Sequence, residues 1–122
     1  MPAAKGAGEI DRHLPLKPLV FQILIALADD ERHGWDLVRD VQQRGGFRRI
    51  MPGNFYRTLR AMLAQGFIAE SRRRPSSEQD DERRRYFRLT PLGARVARAE
   101  AGRLEAVVLE ARSKRLLEKP RG

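Results

Sequence analysis

Two arginine triplets, Arg72-Arg73-Arg74 and Arg83-Arg84-Arg85, flank a short polar stretch at 75–82, with Arg88 just beyond it. Guanidinium groups clustered in this way suit phosphate oxygens, which they engage bidentately. A second cluster lies upstream, at 52–66. Turning about 100° per residue puts Phe55, Leu59, Met62 and Leu63 on one side of a helix and Arg57, Arg60, Ala61 and Ala64 opposite. Asn54 and Tyr56 sit on the flanks near its N-terminal end, and Thr58 belongs to the same candidate set. Arg pairs bidentately with guanine and Asn with adenine in a major groove, and the two alanines permit close approach. The competing reading is a solvated arginine face.

The overall charge agrees with an anionic partner. The 122 residues carry 25 Lys+Arg against 16 Asp+Glu, a formal net charge of +9. There is no cysteine, and the only two histidines are His13 and His33. Disulfides, thiolate metal sites and thiol nucleophiles are therefore excluded, and catalysis, a metal and a cofactor are not expected. His33, beside Gly34, reads as part of a helix entry. The N-terminus lacks the apolar stretch of a signal peptide, and the longest apolar run, 19–28, is interrupted by Gln22 and too short for a bilayer. The expectation is a cytoplasmic protein with no membrane partner.

The elements that must position these residues can be read from their periods. Residues 1–14 read as a flexible arm of Gly, Ala, Pro and scattered charge. The stretch 16–28 has apolar residues at 16, 19, 20, 23, 24 and 27, which is helical spacing, and Phe21 and Ile25 place apolar surface on its other side. A second, amphipathic helix opens at His33-Gly34 and stops at Gly45-Gly46. A third opens at Pro52 and closes at Gly66. The period then changes. Two extended runs, 67–73 and 85–89, enclose the polar stretch and predict a β-hairpin, whose alternative is a plain flexible loop. The tip of that stretch holds Glu78, Asp80, Asp81 and Glu82, which should point away from an anionic partner or pair with neighbouring arginines.

Thr90-Pro91 then starts a long helix, expected over 91–118, with Thr as N-cap. Its residues Ala94, Ala97, Ala101, Leu104, Val108 and Ala111 recur three and four apart, the spacing of a narrow coiled-coil seam. A second copy of the chain could pack there as a homodimer, with Ala97, Ala101, Leu104, Val108 and Ala111 at its centre. Packing back on its own domain is the alternative. The predicted architecture is mainly α with a small β-hairpin: a flexible arm at 1–14, a winged helix-turn-helix at 15–90, and a dimerisation helix and tail at 91–122.

At this point the chain resembles the PadR family of transcriptional regulators, in its short form with one C-terminal helix. The matching stretches are His33-Gly34-Trp35-Asp36-Leu37, then Pro52-Gly53-Asn54-Phe55-Tyr56-Arg57-Thr58-Leu59, then Leu63 through Gly66-Phe67-Ile68. Arg84-Arg85-Tyr86-Phe87-Arg88-Leu89-Thr90 and Leu92-Gly93 follow. The resemblance spans about 16–118. It implies a winged-helix homodimer on double-stranded operator DNA, usually a repressor, with aromatic or phenolic effectors for some members. Three departures stand out: Trp35 in place of Tyr, Met51 in place of a capping Ser, and Asn54-Phe55 in place of Thr-Leu. Trp35, with Phe21 as neighbour, is the candidate lining of a pocket for a small aromatic ligand, against the reading of Trp35 as a core residue. An RNA- or ribosome-associated winged helix is the alternative function. It would call for exposed aromatics, whereas Phe55, Phe67 and Phe87 read as buried.

Overall fold

The computed structural model describes residues 5–44, 50–71 and 85–118. Its order is α1 (Lys5–Asp11), α2 (Pro18–Ala26), β1 (Arg32–His33), α3 (Gly34–Arg44), α4 (Pro52–Gln65), β2 (Ile68–Glu70), β3 (Tyr86–Leu89) and α5 (Pro91–Ser113). The sheet is antiparallel in the order β1-β3-β2, with Ile68 opposite Leu89 and Arg32 opposite Phe87. This is the mainly helical, winged-helix architecture expected from the sequence, with one strand more than the hairpin. The extra strand, β1, is only two residues long, so no alternation could reveal it. It is anchored by Gly34 N–H donating to the Arg85 carbonyl at 3.1 Å.

One core holds the helices and sheet together. Ile23, Leu24, Leu37, Val41, Phe55, Leu59, Met62, Phe67, Ile68, Phe87 and Val96 are all buried in it. Two basic residues tie down the C-terminal half of α2, and Arg32 does so at a final carbonyl that lacks a helical partner. Arg32 Nε donates to the Ala26 carbonyl at 2.9 Å, and Arg44 donates to the Gln22 carbonyl at 3.1 Å. At the entry to α3, His33 Nδ1 accepts the Asp36 N–H at 3.2 Å, so this histidine serves as a helix cap.

The arm expected to be flexible contains α1, whose Ile10 is buried in the core and which packs on α5. Two glycines in seven residues hide this helix from propensity. Tertiary packing of a single apolar side chain stabilises it instead.

Glycine is required at two positions for different reasons. Gly66 ends α4 with φ of 82°, a left-handed conformation, and Phe67 N–H returns to the Met62 carbonyl at 3.0 Å. Gly93 sits in the first turn of α5, so close to the chain at Phe67 that a Cβ would collide with the Phe67 carbonyl. That carbonyl accepts from the Thr90 N–H at 3.1 Å and shares the single Thr90 hydroxyl proton with the Gly66 carbonyl, the two lying 2.9 and 2.5 Å from the hydroxyl oxygen, which in turn caps Gly93 N–H at 3.0 Å. The expected N-cap is therefore also the joint between the sheet and α5.

Glu100, to which the sequence reading gave no role, is 2% exposed on the inner side of α5. Its carboxylate accepts two hydrogen bonds from Arg103, at 2.7 and 2.9 Å, and one from the Leu16 N–H at 3.2 Å. The bonds from the Arg103 guanidinium hold the Glu100 carboxyl below its ordinary value of 4.5, against the opposing effect of burial. A lowered folded-state pKa stabilises the fold above the unfolded value, and that stabilisation is lost as pH falls through the folded one. Glu100→Gln should therefore cost about 1–3 kcal/mol at neutral pH. The difference from the parent should shrink below about pH 4. Thermal melts of both chains across the acid range check this. A difference independent of pH would remove the carboxylate from the account.

Candidate nucleic-acid interface

The apolar stripe of α4 is turned fully into the core: Phe55, Leu59 and Met62 are each 0% exposed. This fixes the rotation of the helix, so Asn54, Arg57, Arg60, Ala61 and Ala64 all face outward. The helix starts at Pro52, with Met51 as an N-cap that makes no side-chain bond, as its departure from a capping serine implies. The loop before α4 is tied down by Ile50 N–H donating to Gln42 Oε1 at 2.9 Å. The side chains that could read base edges thus project from a rigid cylinder, a condition for sequence discrimination.

Two members of the predicted set are engaged differently. Tyr56 is half-buried, edge-to-face on Phe55 at 5.6 Å, and packs against the core. Its ring supports α4 from below. The Thr58 hydroxyl donates to the Asn54 carbonyl at 2.8 Å, so only its acceptor capacity remains for a partner.

Arg72, Arg73, Arg74, Arg83 and Arg84, together with the acids of the 75–82 stretch, lie outside the described residues. The strands leading to them are in place: Ser71 N–H donates to the Tyr86 carbonyl at 2.8 Å, which keeps β2 and β3 paired up to the base of the predicted wing. Arg85 is half-buried at that base and sits 3.7 Å from the Glu70 carboxylate across the pair.

A groove of about 420 Å³ runs along one flank of α4. One wall is α4 itself, with Asn54, Arg57, Thr58 and Ala61. The other is the segment joining α1 to α2, with Arg12, His13 and Lys17. The sequence reading missed this segment. Its signal was two cations, at 12 and 17, on either side of the point where the aperiodic arm gives way to helical spacing.

The predicted seam on α5 divides. Gly93, Val96 and Glu100 are buried against the chain's own domain, and Ala97 packs beside them. Beyond Glu100 the helix stands clear: Ala101 and Val108 are exposed, Leu104 and Ala111 are half-buried, and Val107 and Leu109 add apolar surface. The reading in which α5 packs back on its own domain holds for its first half, and the second half is left uncovered by the rest of the described chain.

Trp35 is 49% exposed on the outer side of α3, and Phe21 is half-buried. The reading of Trp35 as a core residue is overturned, because Leu37 and Val41 already fill the inward face of α3. Phe55, Phe67 and Phe87 are at most 1% exposed, so they offer no stacking platform for unpaired bases. Among the described residues no His/Cys/Asp/Glu group could hold a metal ion, and no helix is long and apolar enough to cross a membrane.

Comparison with known proteins agrees with this geometry. The profile of the Transcriptional regulator PadR-like family matches residues 23–99, more than half of the chain. The transcriptional regulator Rv3488 of Mycobacterium tuberculosis is 32% identical over 88 residues, which cover 72% of this chain and 77% of that protein. Among solved structures, a PadR family transcription regulator from Clostridium difficile superposes with a TM-score of 0.67 at 18% identity, covering 80% of this chain and 97% of that one. A PadR-like regulator from Bacillus cereus gives 0.67 at 19%, covering 90% and 99%. One from Eggerthella lenta gives 0.60 at 24%, covering 93% and 94%. With a matching family profile over more than half of its length and a relative 32% identical over 72% of it, the chain belongs to the PadR-like family of transcriptional regulators.

Proposed function

We propose that this regulator binds duplex operator DNA as a homodimer, places α4 in the major groove, and represses by occupying its site. One observation carries the reading: a helix that buries Phe55, Leu59 and Met62 completely and whose opposite side offers Asn54, Arg57 and Arg60 with two alanines between and beside them. In helix-turn-helix proteins the second helix of the pair reads bases from its N-terminal residues, and here these include Asn54 and Arg57. The arginines at 72–74 and 83–85 act on phosphates along the wing. They supply affinity and register, without base choice. The exposed half of α5 pairs with its copy in the partner.

Arg57→Ala should weaken binding to a selected operator by about 10–100-fold and relax choice at one base pair, as expected for loss of a bidentate guanine contact. Asn54→Ala should act at a neighbouring A·T pair. Binding measured over a panel of single-base operator variants checks both. A uniform loss across the panel would show that the two residues only position the protein.

A small aromatic effector would stack on the exposed face of Trp35, the single tryptophan, with Phe21 of α2 as the second aromatic of the proposed lining, and alter the separation of the two α4 helices in the dimer. Titration with phenolic acids and planar dyes should quench the tryptophan emission in step with release of DNA. Emission that no compound alters, with DNA binding unaffected, would remove the effector.

A further inference from the structure

We infer that the segment joining α1 to α2 is a second DNA-contacting edge, in which Arg12 and Lys17 hold backbone phosphates of the duplex alongside α4. The inference rests on the duplex-DNA reading of α4 and extends its footprint to a segment that lies before the matched family region.

The groove between the two walls carries the argument. Arg12, His13 and Lys17 face Asn54, Arg57 and Thr58 across it, and among the described residues no acidic side chain lines it. Arg12, Lys17 and Arg57 are exposed, and none has an ion-pair partner among the described residues. Elsewhere the described arginines are often engaged within the fold, as Arg32, Arg44 and Arg103 are. The floor is apolar, built from Val20, Met62 and Phe67. Positive groups at the rim, with no buried polar partner below them, suit a large anion lying across the opening better than a small one enclosed within it. A duplex entered by α4 presents such a surface, since phosphates border the major groove on both sides.

The segment is also held rigidly enough to act as a contact. His13 N–H donates to the Ile10 carbonyl and Leu14 N–H to the Asp11 carbonyl, both at 3.0 Å. The His13 ring stands edge-on to Phe67, with centroids 4.9 Å apart, and Phe67 directly follows the Gly66 that ends α4. Leu16 N–H donates to the buried carboxylate of Glu100 at 3.2 Å. The backbone that carries the two cations is thus fixed relative to α4 on one side and to α5 on the other, so contact orders only their own side chains.

The test is the salt dependence of binding in the full-length chain carrying Arg12→Ala and Lys17→Ala. Both side chains are exposed, so the fold should survive, and a thermal melt matching the parent verifies it. Anisotropy titrations run from about 50 to 200 mM chloride, on a selected operator and on a random duplex. Each phosphate contact contributes about 0.9 to the slope of log K against log salt, so the double variant should lose nearly two units, equally on both duplexes. An unchanged slope with a parent chain that binds normally would overturn this inference alone. A parent chain that does not bind duplex DNA would overturn both it and the reading of α4. Inorganic phosphate at matched ionic strength should displace DNA no better than chloride. Selective displacement that vanishes in the double variant would reassign the groove to a small anion and overturn the phosphate-backbone contact.

Discussion

Gly93→Ala should lower the melting temperature more than alanine at Gly8, Gly53, Gly66 or Gly102. The added Cβ would collide with the Phe67 carbonyl, which is backbone and cannot rotate away. Relief would require α5 to move off the start of β2. That motion would break the Thr90 N–H and hydroxyl bonds to the same carbonyl, at 3.1 and 2.9 Å, and loosen Val96 from the core. Overpacking of this kind costs about 3 kcal/mol at the upper end of its usual range. In a small domain that corresponds to a fall of roughly 10–20 °C. Calorimetry of the purified variant checks the figure. Gly66→Ala is the useful contrast: the space there is open, with the nearest atom of Leu92 at 3.8 Å, and only the left-handed backbone is strained. It should cost about 1–2 kcal/mol. Equal melting of the two variants would show that the approach of α5 to Phe67 is not tight.

The second large effect is expected on assembly. Leu104→Glu with Val108→Glu would place four carboxylates in the seam of a symmetric dimer, two from each copy. An unpaired charge withdrawn from water costs several kcal/mol, so the dimer dissociation constant should rise roughly 100-fold or more. The inner half of α5, with Gly93, Val96 and Glu100, is untouched, so the monomer should stay folded. Sedimentation should show dimer for the parent and monomer for the variant at micromolar concentration, with operator binding weakened in parallel. A parent chain that is monomeric at that concentration would remove the seam from the account, and so would a variant that stays dimeric.

How far the sequence carried this reading depended on whether a residue's role is local. The third helix was legible because Pro52, the Phe55-Leu59-Met62 stripe and Gly66 are start, face and stop signals within fifteen residues. The Thr90-Pro91 start of α5 was legible for the same reason. The features that escaped are set by distant partners. β1 exists because β3 lies beside it, and α1 because Ile10 finds the core. No local pattern marks Glu100, and only the fold brings the Leu16 N–H to it across 84 residues. Trp35 invited a guess from its size, whereas the inward face of α3 is decided by Leu37 and Val41. On α5 the apolar spacing is continuous, so the division between the part that packs at home and the part that stands clear depends on where the domain ends, which the period of the helix does not encode.

The central claim is that α4 of a symmetric dimer reads duplex DNA. Selection of bound sequences from a random duplex pool tests it most directly, with RNA of the same sequences as competitor. The account predicts an inverted repeat whose half-sites lie about 10–10.5 base pairs apart, centre to centre, or a multiple of that, and no comparable competition by RNA. It also predicts that the enriched base opposite Arg57 is lost when the selection is repeated with Arg57→Ala. A pool that shows no enrichment, or a protein that RNA displaces as readily as duplex DNA does, would contradict it.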